Sequence, residues 1–266
     1  MLFEAEGAPA QTVAEARYGG ALRFPDAPSP YVVANFVSTI DGVVSLGIRD
    51  GTDSATISGH SVADRYVMGM LRAAADVIVI GAHTLSDTAG HQWTPEAVAR
   101  DAGAELAQYR RSLQRRDPSA PLVIVSGSGR VPPHVALSRP ATPVAVLTTE
   151  RGAEALGQLG DEVQRLVVPG GGRLDATAVL SMLQAAYRPH VVLTEGGPTF
   201  MGTLVAESAL SELFFTLSPR LAGRDGAHPR LAMVEGFAAD PSRLHDYALV
   251  SVRRDDAALL LRYRKR

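Results

Sequence analysis

The chain contains no cysteine, which excludes disulfides, thiolate-bound zinc, iron–sulfur clusters and a thiol nucleophile together. Lysine is almost as scarce: Lys265, in the terminal RYRKR, is the only one. A Schiff-base lysine and the phosphate-reaching lysine of a P-loop are therefore excluded, and arginine carries the internal cationic chemistry. No apolar run approaches the roughly 20 residues of a membrane span. The opening MLFEAEGAPA has acidic residues where a secretory leader carries basic ones, so a cytoplasmic protein is expected. A formal net charge of -2 is too balanced for a nucleic-acid binder that works by neutralising phosphates. With 46% of 266 residues hydrophobic, the chain can bury a substantial core.

What is present is an alternation of apolar runs and helical patterns. YVVANFV, DVIVIG, PLVIVS, PVAVLTT and HVVLT are valine-rich runs of the kind buried on both faces of a sheet. Segments of helical length lie between them over 61–75, 94–116 and 175–187, the last with Asp175 as N-cap. ELFFTLSP, HDYALVSVRR and AALLLRYR follow as three strand-like runs, with Asp255-Asp256 as a hairpin turn between the last two. The pattern predicts an α/β fold: a mixed, mostly parallel central sheet flanked by helices, with an antiparallel C-terminal hairpin. Residues 1–29 read as an extended lead-in and 30–266 as a single domain.

The chemistry concentrates where strands end. In VVLTEGGPTFMG, Gly196 and Gly197 let a ligand approach the backbone, Pro198 suits a first helical turn, and the N–H groups near Thr199 are ready for an anion. Glu195 beside an anion site needs its own partner, such as an amide or ring N–H of a second ligand. VIVIGAHT repeats the exit with Gly81 and Thr84, and VIVSGSGR with Ser126 and Arg130; VVPGGGRLD reads as a loop. In ANFVSTIDG, Asp41 and Gly42 fit a type I′ or related turn, whereas Asn35 is a poor strand former that must find partners if buried. His91 and Trp93 read as the rim of a pocket. The histidines lack HxxxH or HExxH spacing, so no metal site is expected, and the missing GxSxG elbow disfavours a hydrolase. Several polar, glycine-rich exits along one sheet suit a nucleotide-sized ligand.

STIDG, LRAAADVIVIGAHT, LTEGGPT and ELFFTLSPRLAG, in that order, resemble the C-terminal reductase domain of the bifunctional riboflavin-biosynthesis deaminase/reductase and its stand-alone relatives, from about Tyr31 to the C-terminus. The resemblance implies a dihydrofolate-reductase-like fold, NADPH as cofactor, 5-amino-6-(5-phosphoribosylamino)uracil as substrate and a homodimer, for which the apolar AALLLRY hairpin is a pairing candidate. It puts residues 197–203 at the cofactor pyrophosphate, with Thr84 and the Ser126 region also lining the cofactor, and Glu195, Ser54 and Arg72 on the substrate side. Asn35 stands where many members have lysine. Arg72 would pair with an anionic substrate group, and Asp41 is the candidate proton donor. No deaminase-like zinc segment is present, so a stand-alone reductase is expected. One stretch departs from the family: LSDTAGHQWTPE lacks the D-D-P segment and its arginine. Dihydrofolate reduction, or nucleotide binding without catalysis, stands as the alternative.

Overall fold

Runs of valine, isoleucine and leucine without polar alternation are stable as strands only where both faces are covered. The computed structural model, which describes residues 1–266 other than 6, 27–29, 49, 89, 116, 171–173 and 229, covers them in this way. In chain order the elements are β1 (Phe3–Glu4), α1 (Val13–Tyr18), β2 (Tyr31–Thr39), α2 (Asp53–Ser58), α3 (Val62–Ala74), β3 (Val77–Gly81), α4 (Ala82–Asp87), α5 (Pro95–Val98), a 3₁₀ turn (Arg100–Ala102), α6 (Gly103–Ser112), β4 (Leu122–Ser126), α7 (Val135–Ser138), β5 (Val144–Thr149), α8 (Glu150–Ala155), β6 (Val163–Val168), α9 (Ala176–Tyr187), β7 (Val191–Thr194), α10 (Pro198–Ala206), β8 (Glu212–Ser218), β9 (Tyr247–Asp255) and β10 (Ala258–Lys265). The strands form one sheet in the order β1-β9-β10-β8-β2-β7-β3-β4-β5-β6. From β8 to β6 all neighbours are parallel, and β10, β9 and β1 add antiparallel. The mixed α/β sheet and its C-terminal hairpin are thus as expected.

Strand parity assigns the faces. Val33, Ile78, Ile124 and Leu193 point to one side, where Ala14 of α1, Met70 of α3 and Leu106 of α6 meet them. Val79, Val123 and Val192 point to the other, against Leu183 of α9, and Ala34 joins Met201 and Leu204 of α10 there. Local signals start the helices: Ser61 accepts from the Asp64 N–H at 3.0 Å, and Asp175 from Ala178 at 2.8 Å.

Five expectations change. Residues 1–29 are not simply extended: Thr12 and Glu15 form a reciprocal capping box that starts α1, and Ala14, Tyr18 and Leu22 enter the core. The helix expected over 94–116 is broken at Ala99 (φ -129°, ψ 65°), where the chain bends round Gly69 of α3; a Cβ there would lie 3.1 Å from the Ala99 Cβ and 3.0 Å from Leu106. The run VQRLVV, absent from the expected strands, is β6. The C-terminal turn falls one residue late, since Asp255 pairs with Ala258 and Asp256 takes φ 51°. β10 lies between β8 and β9, so both its edges are taken and it cannot pair with a second subunit.

Candidate active site

The seven parallel strands bring their exits to one edge of the sheet, and the shortness of β7 opens that edge. Pairing of β2 with β7 stops at Ala34↔Thr194, whereas β2 runs on beside β8 as far as Thr39↔Ser218. Beyond Ala34 the β7 side of β2 therefore has no strand neighbour. The chain leaves β7 with the Glu195 N–H on the Val79 carbonyl at 3.1 Å, and the Gly196 N–H donates back to the Thr194 hydroxyl at 3.0 Å.

Gly197 then caps α10 without a side-chain hydrogen bond, and Pro198 occupies the first turn. The Phe200 and Met201 N–H groups return to the Gly197 carbonyl. The Gly197 and Thr199 N–H groups have no acceptor among the described residues, and a Cβ on Gly197 or Gly81 would meet nothing within 4 Å. Free N–H groups at the positive end of a helix dipole, with open space before them, suit a phosphate group. The NADPH pyrophosphate fits this donor set.

Glu195 and Arg72 come together, but Arg72 does not face a substrate. Its Nε donates to Glu195 Oε1 at 2.7 Å and one terminal nitrogen to Oε2 at 2.6 Å. The other terminal nitrogen donates to the Gln92 and Thr94 carbonyls at 3.2 and 3.1 Å, and the remaining N–H points at His91 Nε2, 2.9 Å away. All five N–H groups are used, and the side chain is 1% exposed. An anionic substrate group finds no donor there; the guanidinium instead fixes Glu195, whose second lone pairs remain free to accept. Because guanidinium has no acceptor, His91 Nε2 must accept, leaving its proton on Nδ1. Burial, then the Arg72 and His134 charges, hold His91 down at about 3. Trp93 is not a pocket rim: it is 2% exposed in the core between His91 and His134.

Asp41 sits at a tight turn in which Gly42 (φ 82°) alone takes the left-handed conformation, so the turn is not type I′. Its carboxylate accepts from the Ala222 and Gly223 N–H groups at 3.1 and 2.7 Å. The Thr39 hydroxyl, then these two amides, lower it to about 2. A carboxylate so held ties the loop after β8 to β2 and has no proton to give at neutral pH, which overturns its expected role as proton donor.

The other expected residues are spread along the edge. Asn35 is half-buried on the α3 side of the sheet and lines a cavity of about 10 Å³ with Val67, Phe214 and Thr216. Ser54 is exposed on α2, while its neighbour Asp53 ties down the Ser45 hydroxyl and Leu46 N–H. Thr84 is half-buried on α4, where its carbonyl accepts from Thr88 at 2.6 Å. The Ser126 hydroxyl donates to the Arg130 carbonyl at 2.9 Å, so it shapes its loop. Of VVPGGGRLD, residues 171–173 lie outside the described residues. Two groups went unnoticed in the sequence: Asp64, buried in the first turn of α3, and Ser218, whose Oγ is buried without a partner among the described residues.

An open α/β sheet whose carboxyl edge presents glycine-rich exits and a free helix N-terminus is a small-ligand-binding domain of the doubly covered type. The sequence matches the RibD C-terminal domain over residues 30–261, and the chain belongs to this family of riboflavin-biosynthesis reductases. No curated protein matches it. Solved structures share the fold. The Thermotoga maritima diaminohydroxyphosphoribosylaminopyrimidine deaminase/5-amino-6-(5-phosphoribosylamino)uracil reductase aligns at TM-score 0.62 and 18% identity, covering 90% of this chain and 57% of that one. A pyrimidine reductase-like protein from Corynebacterium diphtheriae aligns at 0.66 and 18%, covering 95% and 98%. The riboflavin biosynthesis reductase Rib7 of Saccharomyces cerevisiae aligns at 0.56 and 15%, covering 92% and 93%. The chain thus spans little more than half of the Thermotoga protein.

Proposed function

We propose that the protein is an NADPH-dependent reductase of 5-amino-6-(5-phosphoribosylamino)uracil, working as a homodimer in the cytoplasm. What carries this is the family match across residues 30–261, within which the Gly196-Gly197 junction and its free N–H groups fall. Gly196, Gly197, Pro198 and Thr199 would hold the pyrophosphate, Gly81 and Thr84 would leave room along the cofactor, and the loop fixed by Ser126 would bring Arg130 toward a 2′-phosphate. The cofactor supplies a hydride when bound. Glu195, oriented by Arg72, would accept hydrogen bonds from the heterocycle, and Asn35 and Ser54 would border the substrate. Much of the rate then comes from holding donor and acceptor in register.

One observation favours a second substrate. The segment that replaces the family's D-D-P stretch is committed to the interior through Trp93 and the His91–Arg72 contact, which suits a ligand without a sugar phosphate, such as dihydrofolate. The test is titration with NADPH and NADH, then NADPH oxidation with the aminopyrimidine and with dihydrofolate in parallel. Oxidation by the aminopyrimidine alone supports the first substrate and by dihydrofolate alone the second. Cofactor binding without either activity removes both, and no binding leaves the junction a mere turn.

A further inference from the structure

The break at Ala99, which bends the chain round Gly69, borders a cleft. About 370 Å³ of space lies between the end of α1, the start of α3 and the 97–102 segment, within the size range of small-molecule sites. Its walls are small and apolar, with Ala97, Val98 and Ala99 on one side and Val62 on the other. Val62 is 61% exposed. Three arginines, Arg17, Arg65 and Arg100, line the cleft against one acidic residue, Asp101, in a chain whose formal net charge is -2. Like charges gathered at one place repel, and an anion among them relieves that cost.

Two of the arginines are held in place. The Arg17 guanidinium lies over the Tyr66 ring, 4.2 Å from its centre, and donates to Glu105 at 2.8 Å. One terminal nitrogen of Arg65 donates to the His60 carbonyl at 3.0 Å. The rest of the Arg65 fork and the whole Arg100 guanidinium have no acceptor among the described residues. Guanidinium presents its donors in a planar fork that matches phosphate. The cleft is also separate from the strand exits. One turn along α3, Gly69 packs against Ala99 and the Pro95 carbonyl, which closes it toward Arg72 and Glu195. The α10 junction lies on the other face of the sheet.

We infer that this cleft is a second ligand site, for a small phosphomonoester with an apolar body. Arg65 and Arg100 fork onto the phosphate, Arg17 adds its charge from the Tyr66 ring, and Val62, Ala97 and Val98 cover the apolar part. The site shares no residue with the proposed reductase site and does not depend on that function.

The test follows the arginine Nε–H signals by ¹H–¹⁵N NMR while phenyl phosphate, inorganic phosphate or phenol is added. The signals missing from Arg65→Gln and from Arg100→Gln identify the two residues; Arg100 is exposed, so its variant folds whatever Arg65→Gln does. Both signals should shift saturably with phenyl phosphate, less tightly with inorganic phosphate, and not with phenol. The apparent Kd, read from the backbone amides of residues 97–102, should rise about tenfold for each arginine removed. Arg188→Gln, exposed at the end of α9 on the other face, should leave it unchanged. Shifts that stay linear with concentration, that fall only on residues 196–201, or that persist in the double variant overturn the site. Equal affinity for inorganic and phenyl phosphate overturns the apolar half of the assignment.

Discussion

Arg72 holds Glu195, His91 and two carbonyls of the 91–94 segment at once, and removing it strands every one. Arg72→Met leaves the Glu195 carboxylate, 9% exposed, without its counter-charge. The expected loss is about 3–5 kcal/mol by urea denaturation. Arg72→Lys should recover little, since an ammonium cannot span the two carboxylate oxygens as a fork does. The double variant Arg72→Met/Glu195→Gln should be milder than Arg72→Met alone, and a double variant as unstable as the single one would refute the pairing. His91 adds a pH dependence of definite sign. Its folded value lies near 3 against an ordinary 6.5, so the unfolded chain binds the proton first. Stability is fully present above about 6.5 and declines as pH falls toward 3. In His91→Gln the urea midpoint should vary less with pH over that window, and an unchanged slope would remove His91 as the cause. Glu195 stood out in the sequence at its LTEGG exit, and Arg72 through the resemblance of LRAAADVIVIGAHT. Their mutual engagement did not, since it depends on where α3 crosses β7. Asp64 escaped notice because an acidic residue in a first helical turn is accounted for by the helix dipole alone.

Continuous valine-rich strands and the helix capped by Asp175 read well from local pattern, because each states its own structure. β6, whose VQRLVV run is interrupted by Gln164 and Arg165, and the short α1 did not, nor did features imposed by a neighbour: the break at Ala99 forced by close packing on Gly69, and the long loop from Pro219 to Asp246. That loop is fastened at several points. Asp41 holds Ala222 and Gly223, Leu231 pairs with Ser45, and the Glu235 N–H donates to the Pro198 carbonyl at 3.1 Å. Gly202 permits the last contact, since a Cβ there would overlap the Glu235 carbonyl. Gly202→Ala should therefore push the loop off α10, costing about 1–3 kcal/mol and speeding limited proteolysis within residues 219–246. A variant that melts and is cut like the wild type would mean that the loop is not held through α10.

The antiparallel end of the sheet depends on residues far from it in sequence. Arg253 of β9 is 8% exposed, and its partners are the Tyr18 carbonyl at 2.8 Å, the Ser251 hydroxyl and Glu4 at 2.8 Å, with the Tyr18 ring 3.8 Å away. β1 pairs along β9, and α1 packs Ala14 and Tyr18 into the same core as α3 and α6. The first two dozen residues thus both neutralise a buried cation and cover apolar surface. Their sequence announced this only faintly, through the T-x-x-E of Thr12 and Glu15 in an otherwise alanine-rich stretch. Removing residues 1–24 would expose the Tyr18 and Leu22 sites, each worth about 1.5–3 kcal/mol of burial. It would also leave Arg253 with Ser251 as its one remaining hydrogen-bond partner among the described residues, a further penalty of several kcal/mol. Set against a typical total of about 5–15 kcal/mol, that loss should leave residues 25–266 unfolded or aggregated at 37 °C. Removing residues 1–5 alone, which takes β1 and Glu4 but spares α1, should lower the melting temperature without abolishing the transition. Calorimetry of the two truncations decides: if residues 25–266 melt cooperatively within a few degrees of the full chain, the reductase domain ends where its family match does and the N-terminal segment is an accessory.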